Sequence, residues 1–248
     1  MLRMRTAPGR RLLSRRDAGA PSELESTSMP PLPVGEFLLP LFPLPNIVFF
    51  PHTRLPLHVF EPRYRQMVQD ALETDERFGI VLLRPGWESE YFGAPAVYEH
   101  GTIGTIEQAV PLEDGRYNIV VRGDVRFRII EEVSRVPYRT ARVIAEPDPA
   151  PSPNEAYAQR EWLAEVSKQY LQYLPDQAAV PEIETVSLEA LTNALIMSLN
   201  LDMAEKQKLL EMTDVLARAE QIGAELANRM ESLRFLAPYR RGGDPSHN

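Results

Sequence analysis

Residues 38–67, LLPLFPLPNIVFFPHTRLPLHVFEPRYRQM, set a proline every few positions into an otherwise apolar stretch. Pro40, Pro43, Pro45, Pro51 and Pro56 each fix φ and withhold a backbone donor, so the stretch cannot be one continuous central strand. It predicts two or three short, kinked strands, with apolar pieces at Leu38 and Leu39, residues 47–50 and residues 55–60. Strands of this kind turn the corners of a small closed or half-closed barrel. From Glu61 the spacing becomes helical. Pro62 suits the first helical position, where a missing N–H costs nothing. Tyr64, Met67, Val68, Ala71 and Leu72 then recur at i, i+3, i+4, i+7 and i+8, which predicts a helix over 62–74.

The chain changes character once more, near residue 150. Before that point the signals are strands. Residues 78–83 form an unbroken apolar run, as in a strand buried on both faces. Residues 102–110, 116–121, 125–133 and 138–145 are strand-like, with Glu113-Asp114-Gly115 as a turn between two of them. Gly101 and Gly104 mark a bulge or a corner. After it the signals are helical. One helix is predicted over 154–174, and a second starts at the N-cap Ser187. Asp202 opens a third, and Thr213 caps a fourth that runs to about residue 236. Val215, Ala219, Ile222, Leu226, Met230 and Leu233 form a stripe on that last helix, read as the core of a bundle, with a coiled-coil seam as the sharper alternative. The expected organisation is a disordered, Arg/Pro-rich tail over 1–36, a β-barrel over 37–147, a proline-rich linker over 148–153, a helical bundle over 154–238 and a disordered tail over 239–248.

The ordered run of LFPL, a Phe-Pro step, LPL and FEPRY between residues 41 and 64 resembles the start of the LON substrate-binding domain, the N-terminal domain of Lon-type proteases. A second block extends the resemblance: Gly101 to Gly104, Gly115 to Tyr117, Val121 to Gly123 and Arg126 to Ile129. The chain looks most like a stand-alone protein of this type. The resemblance implies an α+β fold, a PUA-like β-pseudobarrel with one early helix, followed by the C-terminal helical bundle. It also implies a non-catalytic polypeptide-binding or adaptor role, with unfolded or degron-like segments or a partner protein as the occupant. Phe60, Glu61, Pro62, Arg63 and Tyr64 belong to the family motif and read as structural, with Arg63 a candidate partner for a nearby carboxylate.

Composition and spacing narrow the chemistry. The 248 residues hold no cysteine, which excludes disulfides and thiolate chemistry. None of the three lysines follows a glycine-rich loop, so no P-loop is present in this sequence. Ser167 and Lys168 are neighbours within a helix and do not face one another, so they make no Ser-Lys pair. His52 and His58 are separated by Pro56 and lack companion ligands; His58 reads as a hydrogen-bonded structural histidine and His52 as a solvated one. No enzyme activity, metal or cofactor is expected. Six arginines against one acid give the first twenty residues +5, which leaves −13 of the total −8 for the rest. Such a chain is a poor nucleic-acid binder, and an RNA-binding PUA-like protein, using Arg126 and Arg128, is the alternative. The first twenty residues read as a plain tail before a transit peptide, which makes a cytoplasmic protein the expectation and an organellar one the alternative. No membrane association is expected.

The loop of residues 84–97 carries Trp87, Tyr91 and Phe92 between glycines and prolines. Aromatics on a loop over a barrel suit the capture of apolar polypeptide, and these three are the expected binding residues.

Overall fold

The prolines of the opening stretch do not break its first strand. In the computed structural model, which describes residues 31–90, 93–173 and 186–240, β1 (Glu36–Leu44) runs through both Pro40 and Pro43. Each half of β1 is paired on one side only. Residues 36–40 pair antiparallel with β6 (Thr140–Ala145), and residues 41–44 pair parallel with β3 (Arg77–Leu83). A strand with an open side at each proline loses no ladder bond, so continuity costs little. Residues 47–50 form no strand. Val48, Phe49 and Phe50 are instead buried in the connection to β2 (Arg54–Val59). The helix α1 (Pro62–Leu72) follows, with Pro62 in its first turn and Tyr64, Met67, Val68 and Ala71 on its buried face.

The later strands are longer than their sequence signals. β4 (Val97–Pro111) and β5 (Tyr117–Ser134) form one long hairpin through the turn at Gly115. The predicted strands 116–121 and 125–133 are a single strand, bulged at Gly123 and Asp124 opposite Ile103 and Gly104. Gly123 is required there. A Cβ at this position would lie 2.3 Å from the carbonyl oxygen of Phe50. The strand order is β2-β5-β4-β3-β1-β6, and β6 also pairs with the second half of β5. The sheet therefore curls back on itself through β6, while β2 is joined to β5 alone. Only the β1–β3 pair is parallel.

Four helices complete the α+β fold. α2 (Pro153–Leu171), α3 (Leu188–Ser198) and α4 (Met203–Glu211) are capped by Ser152, Ser187 and Asp202. α5 (Val215–Arg240) is capped by Asp214, whose Oδ1 accepts from the amides of Leu216 and Ala217, in place of the predicted Thr213. Its backbone continues through Pro238 to Arg240. α2 and α5 are parallel. The ring of Trp162 lies over Gly223, and eleven residues further along, just past the end of α2, Arg234 Nε of α5 donates to Tyr173 Oη at 2.6 Å. The stripe Val215, Ala219, Ile222, Leu226 and Met230 is buried against α2 and α3.

Helices and sheet share a core. Val48, Phe50 and Leu82 pack in one cluster with Leu163, Leu191, Ile196 and Leu226. Polar bonds cross the same junction: Asn193 Nδ2 donates to Pro51 O at 3.1 Å, and Gln207 Nε2 to His100 O at 3.1 Å. The proline-rich segment after β6 is tied into it by Asp148, whose side chain is only 3% exposed. Arg126 of β5 places Nη2 2.7 Å from Asp148 Oδ1, an ion contact off the hydrogen-bond axis, and Arg218 of α5 donates to Oδ2 at 2.5 Å. Residues from Pro31 onward form one compact unit. Residues 1–30 and 241–248 of the expected tails, together with Tyr91 and Phe92, lie outside the described residues.

Candidate functional site

The motif residues at the end of β1, in β2 and at the start of α1 meet at a groove of about 250 Å³. β1 brings Phe42, Pro43 and Leu44; β2 and its exit bring Leu57, His58, Val59 and Phe60; α1 brings Arg63 and Tyr64. The local sequence explains the convergence. Pro62 opens α1 directly after β2, so the chain turns within three residues and sets Arg63 and Tyr64 beside Phe60. Tyr64 is 5% exposed and packs on Phe42, ring centroids 4.3 Å apart. Phe60 is left 58% exposed, at the rim. A large apolar side chain held out of the core beside an apolar groove is a feature that folding alone does not require.

The charged groups of the groove are engaged by near neighbours. Arg63 Nη2 lies 2.9 Å from Glu61 Oε2, which supplies the expected carboxylate, and its guanidinium sits 4.6 Å from the Tyr64 ring centroid. Arg139, 5% exposed, binds Glu132 through Nη2 and donates from Nη1 to Pro95 O at 2.7 Å. Arg116 Nη1 lies 3.1 Å from His58 Nε2, and arginine can only donate, so Nε2 accepts. His58 Nδ1 then carries the proton and donates to Asn118 Oδ1 at 2.7 Å. The result is an apolar trough with a fixed, internally neutralised polar rim.

The aromatic loop borders this groove. Gly93 and Pro95 line it, and Arg84 Nε holds the returning segment by donating to Val97 O at 3.0 Å. Trp87 lies on a single 3₁₀ turn, Trp87–Glu90, and is half-buried. Tyr91 and Phe92, also expected to bind, lie outside the described residues. Of the motif residues, Glu61, Arg63 and Tyr64 line the groove wall, Pro62 opens the helix that carries them, and Phe60 is exposed at the rim. In the sequence alone these residues read as structural. The available signal was the alternation in β2, which buries Leu55 and Val59 and leaves Phe60 outside as the strand ends.

Two further expectations change. Arg126 is 1% exposed and donates from Nη1 to Leu210 O at 2.8 Å beneath the helices, so it offers nothing to RNA. Arg128, Arg122, Arg135 and Arg142 pair with Glu146, Glu107, Glu132 and Glu131. Every one of these arginines contacts a carboxylate, Glu132 being shared with Arg139 and Glu107 with Arg54, which makes the face a poor surface for phosphate. His52 is not merely solvated, because its Nε2 lies 3.5 Å from Glu189 Oε2 on α3. Among the described residues no cluster of three His, Cys, Asp or Glu side chains could hold a metal ion, and no helix is long and apolar enough to cross a membrane.

A curled mixed sheet with one helix against its opening and a helical half docked on its side is the fold of Lon N-terminal domains. The Lon N-terminal domain protein from Xanthomonas campestris superposes with a TM-score of 0.56 at 28% identity, covering 76% of this chain and 98% of that one. The N-terminal domain of the Mycobacterium avium complex Lon protease shares the fold at a TM-score of 0.58 and 20% identity, covering 77% of this chain and 98% of that one.

The chain belongs to the family of the ATP-dependent protease La (LON) substrate-binding domain, whose model matches residues 38–228. Among curated relatives, Lon protease 2 of Myxococcus xanthus is 33% identical over 207 residues, which is 81% of this chain and 24% of the relative. Lon protease of Anaeromyxobacter dehalogenans is 29% identical over 234 residues, 90% of this chain and 27% of the relative. The chain thus spans about a quarter of the length of the curated relatives it matches.

Proposed function

We propose that this protein is a non-catalytic polypeptide-binding or adaptor protein, and that the groove between the end of β1, β2 and the start of α1 holds exposed apolar segments of its clients. One observation carries the reading. The residues of the family motif converge on an apolar trough with neutralised charges and keep Phe60 exposed at its rim. Unfolded or degron-like segments offer the complement, apolar side chains on a chain not yet buried elsewhere. Trp87, Tyr91 and Phe92 of the adjoining loop remain the proposed aromatic contacts to the same clients. The Lon peptidase and ATPase chemistries need a serine–lysine pair and a phosphate loop, and the sequence supplies neither arrangement.

The test is a fluorescence-anisotropy titration of a reduced, alkylated model protein held unfolded in buffer. Wild type is expected to bind it. Removing an exposed aromatic anchor costs about 1–2 kcal/mol, so Phe60→Ala is expected to weaken binding roughly tenfold without altering the melting temperature. Equal affinities for the two proteins, or no binding by wild type, would overturn the reading.

A further inference from the structure

The groove has a backbone edge as well as an apolar wall. β2 pairs with β5 on one side, and among the described residues its backbone has no hydrogen-bond partner on the other. Pro56 stands opposite Val120 and has no N–H, so positions 54, 56 and 58 are those whose backbone groups turn away from β5. The opposed side chains of His58 and Asn118 meet at 2.7 Å, as expected of a pair that shares no ladder bond. The N–H and C=O of His58 therefore project from the free edge, and His58 lines the groove. A second partial edge borders the same groove. β6 covers β1 only as far as Pro40, with one further bond from Leu41 N to Arg139 O, so residues 42–44 carry β3 alone. Pro43 has no donor to offer there but keeps its carbonyl.

These features select an occupant. Arg63 of the groove is paired with Glu61, and Arg139 is held by Pro95 O and by Glu132, which it shares with Arg135; with its charged groups engaged, the groove is complementary to an uncharged segment. A volume of about 250 Å³ is below the ~300–1,000 Å³ of small-molecule sites. It suits side chains entering from a longer chain. Backbone donors and acceptors beside an apolar trough are the requirements for strand addition, in which main-chain bonds give affinity and alternate side chains fill the pocket.

We propose that the groove takes its polypeptide as an added β-strand along the free edge of β2, in an uncharged segment with an apolar residue at every second position. This rests on the groove being the polypeptide site. Pro56 and Pro43 thin the donors along both edges, so the site discourages pairing with arbitrary strands and leaves His58 as the principal donor.

The probe is a fluorescein-labelled ten-residue peptide alternating valine and threonine, with two versions N-methylated on one or the other alternate set of amides. In an added strand only one set faces the edge. One methylated version is expected to bind about tenfold more weakly, the scale of one or two lost backbone hydrogen bonds, while the other binds like the parent. On the protein side, His58→Pro removes the outward donor as Pro56 already does, and is expected to weaken the parent peptide more than His58→Ala, which loses the same groove-lining side chain but keeps the backbone N–H. Equal effects of the two methylation patterns, in either direction, would overturn strand addition and leave the groove reading standing. So would failure of the parent peptide to bind while the unfolded model protein still binds. Failure of both ligands would remove the groove reading as well.

Discussion

His52 sits at the corner between β1 and β2 with φ at 61°, and its ring faces Glu189 on α3, with Arg122 and Asp124 nearby. The hydrogen bond to Glu189 raises the imidazole above its ordinary value against the opposing effect of burial, and holds the Glu189 carboxyl below the usual range. A histidine that binds its proton more tightly when folded contributes fully below an unfolded pKa of ~6.5, and loses that contribution as pH rises through its raised folded value. Glu189 contributes fully above an unfolded pKa of ~4.3 and loses its part as pH falls through its lowered folded value. The pair is therefore strongest between about pH 4.3 and 6.5. Both side chains are partly exposed, so its worth is below about 1 kcal/mol. Urea unfolding is expected to show wild type losing stability between pH 6 and 8 relative to His52→Gln; parallel curves would contradict the contact. At this scale the sequence was legible where a residue acts on its own backbone, as with Pro62, Ser187 and Asp202. It was not legible where the partner is distant, as with His52, whose partner lies 137 positions away in the sequence.

Elements changed character where another element covered or uncovered them. The alternation in β5 separates Phe127 from Arg126 and Arg128 correctly, but it cannot tell which part of the polar face will be roofed by helices. Arg126 is covered and Arg128 is half in water. The same limit applies to the prolines of β1, which are compatible with one strand because β3 and β6 take turns along it. Parallel packing of α2 and α5 was likewise outside the reach of helix periodicity, which places a face and not a direction. The buried set of Arg126, Asp148 and Arg218 fastens sheet, proline-rich segment and α5 together, with the Nε atoms of both arginines lacking partners among the described residues. Asp148→Asn is expected to strand two buried guanidinium groups and to cost about 3–5 kcal/mol. Combining Arg126→Met, Asp148→Leu and Arg218→Met is expected to restore most of that loss, since well-packed apolar groups replace buried ions at little cost. Urea midpoints at pH 7 measure both. An Asp148→Asn protein as stable as wild type would contradict the role given to the set.

For the whole molecule, one curled sheet leaves a gap beside β2, and the family motif is what borders it. The sequence made the fold family and the α+β class legible because the motif is long and ordered. It pointed to the aromatic loop for binding; Gly93 and Pro95 of that loop line the groove, while Tyr91 and Phe92 lie outside the described residues. It did not reveal that the motif itself lines that groove, because convergence of β1, β2 and α1 is a property of the tertiary fold and not of any one segment. The central claim is that this groove, and no other exposed apolar surface, meets the client. The most direct measurement replaces Phe60 with a benzophenone amino acid and, in a second protein, Tyr157 of α2, whose native side chains are 58% and 63% exposed. Each is irradiated with the unfolded model protein. Cross-linking at position 60 with little at position 157 is the predicted result; equal cross-linking, or cross-linking at 157 alone, would contradict it.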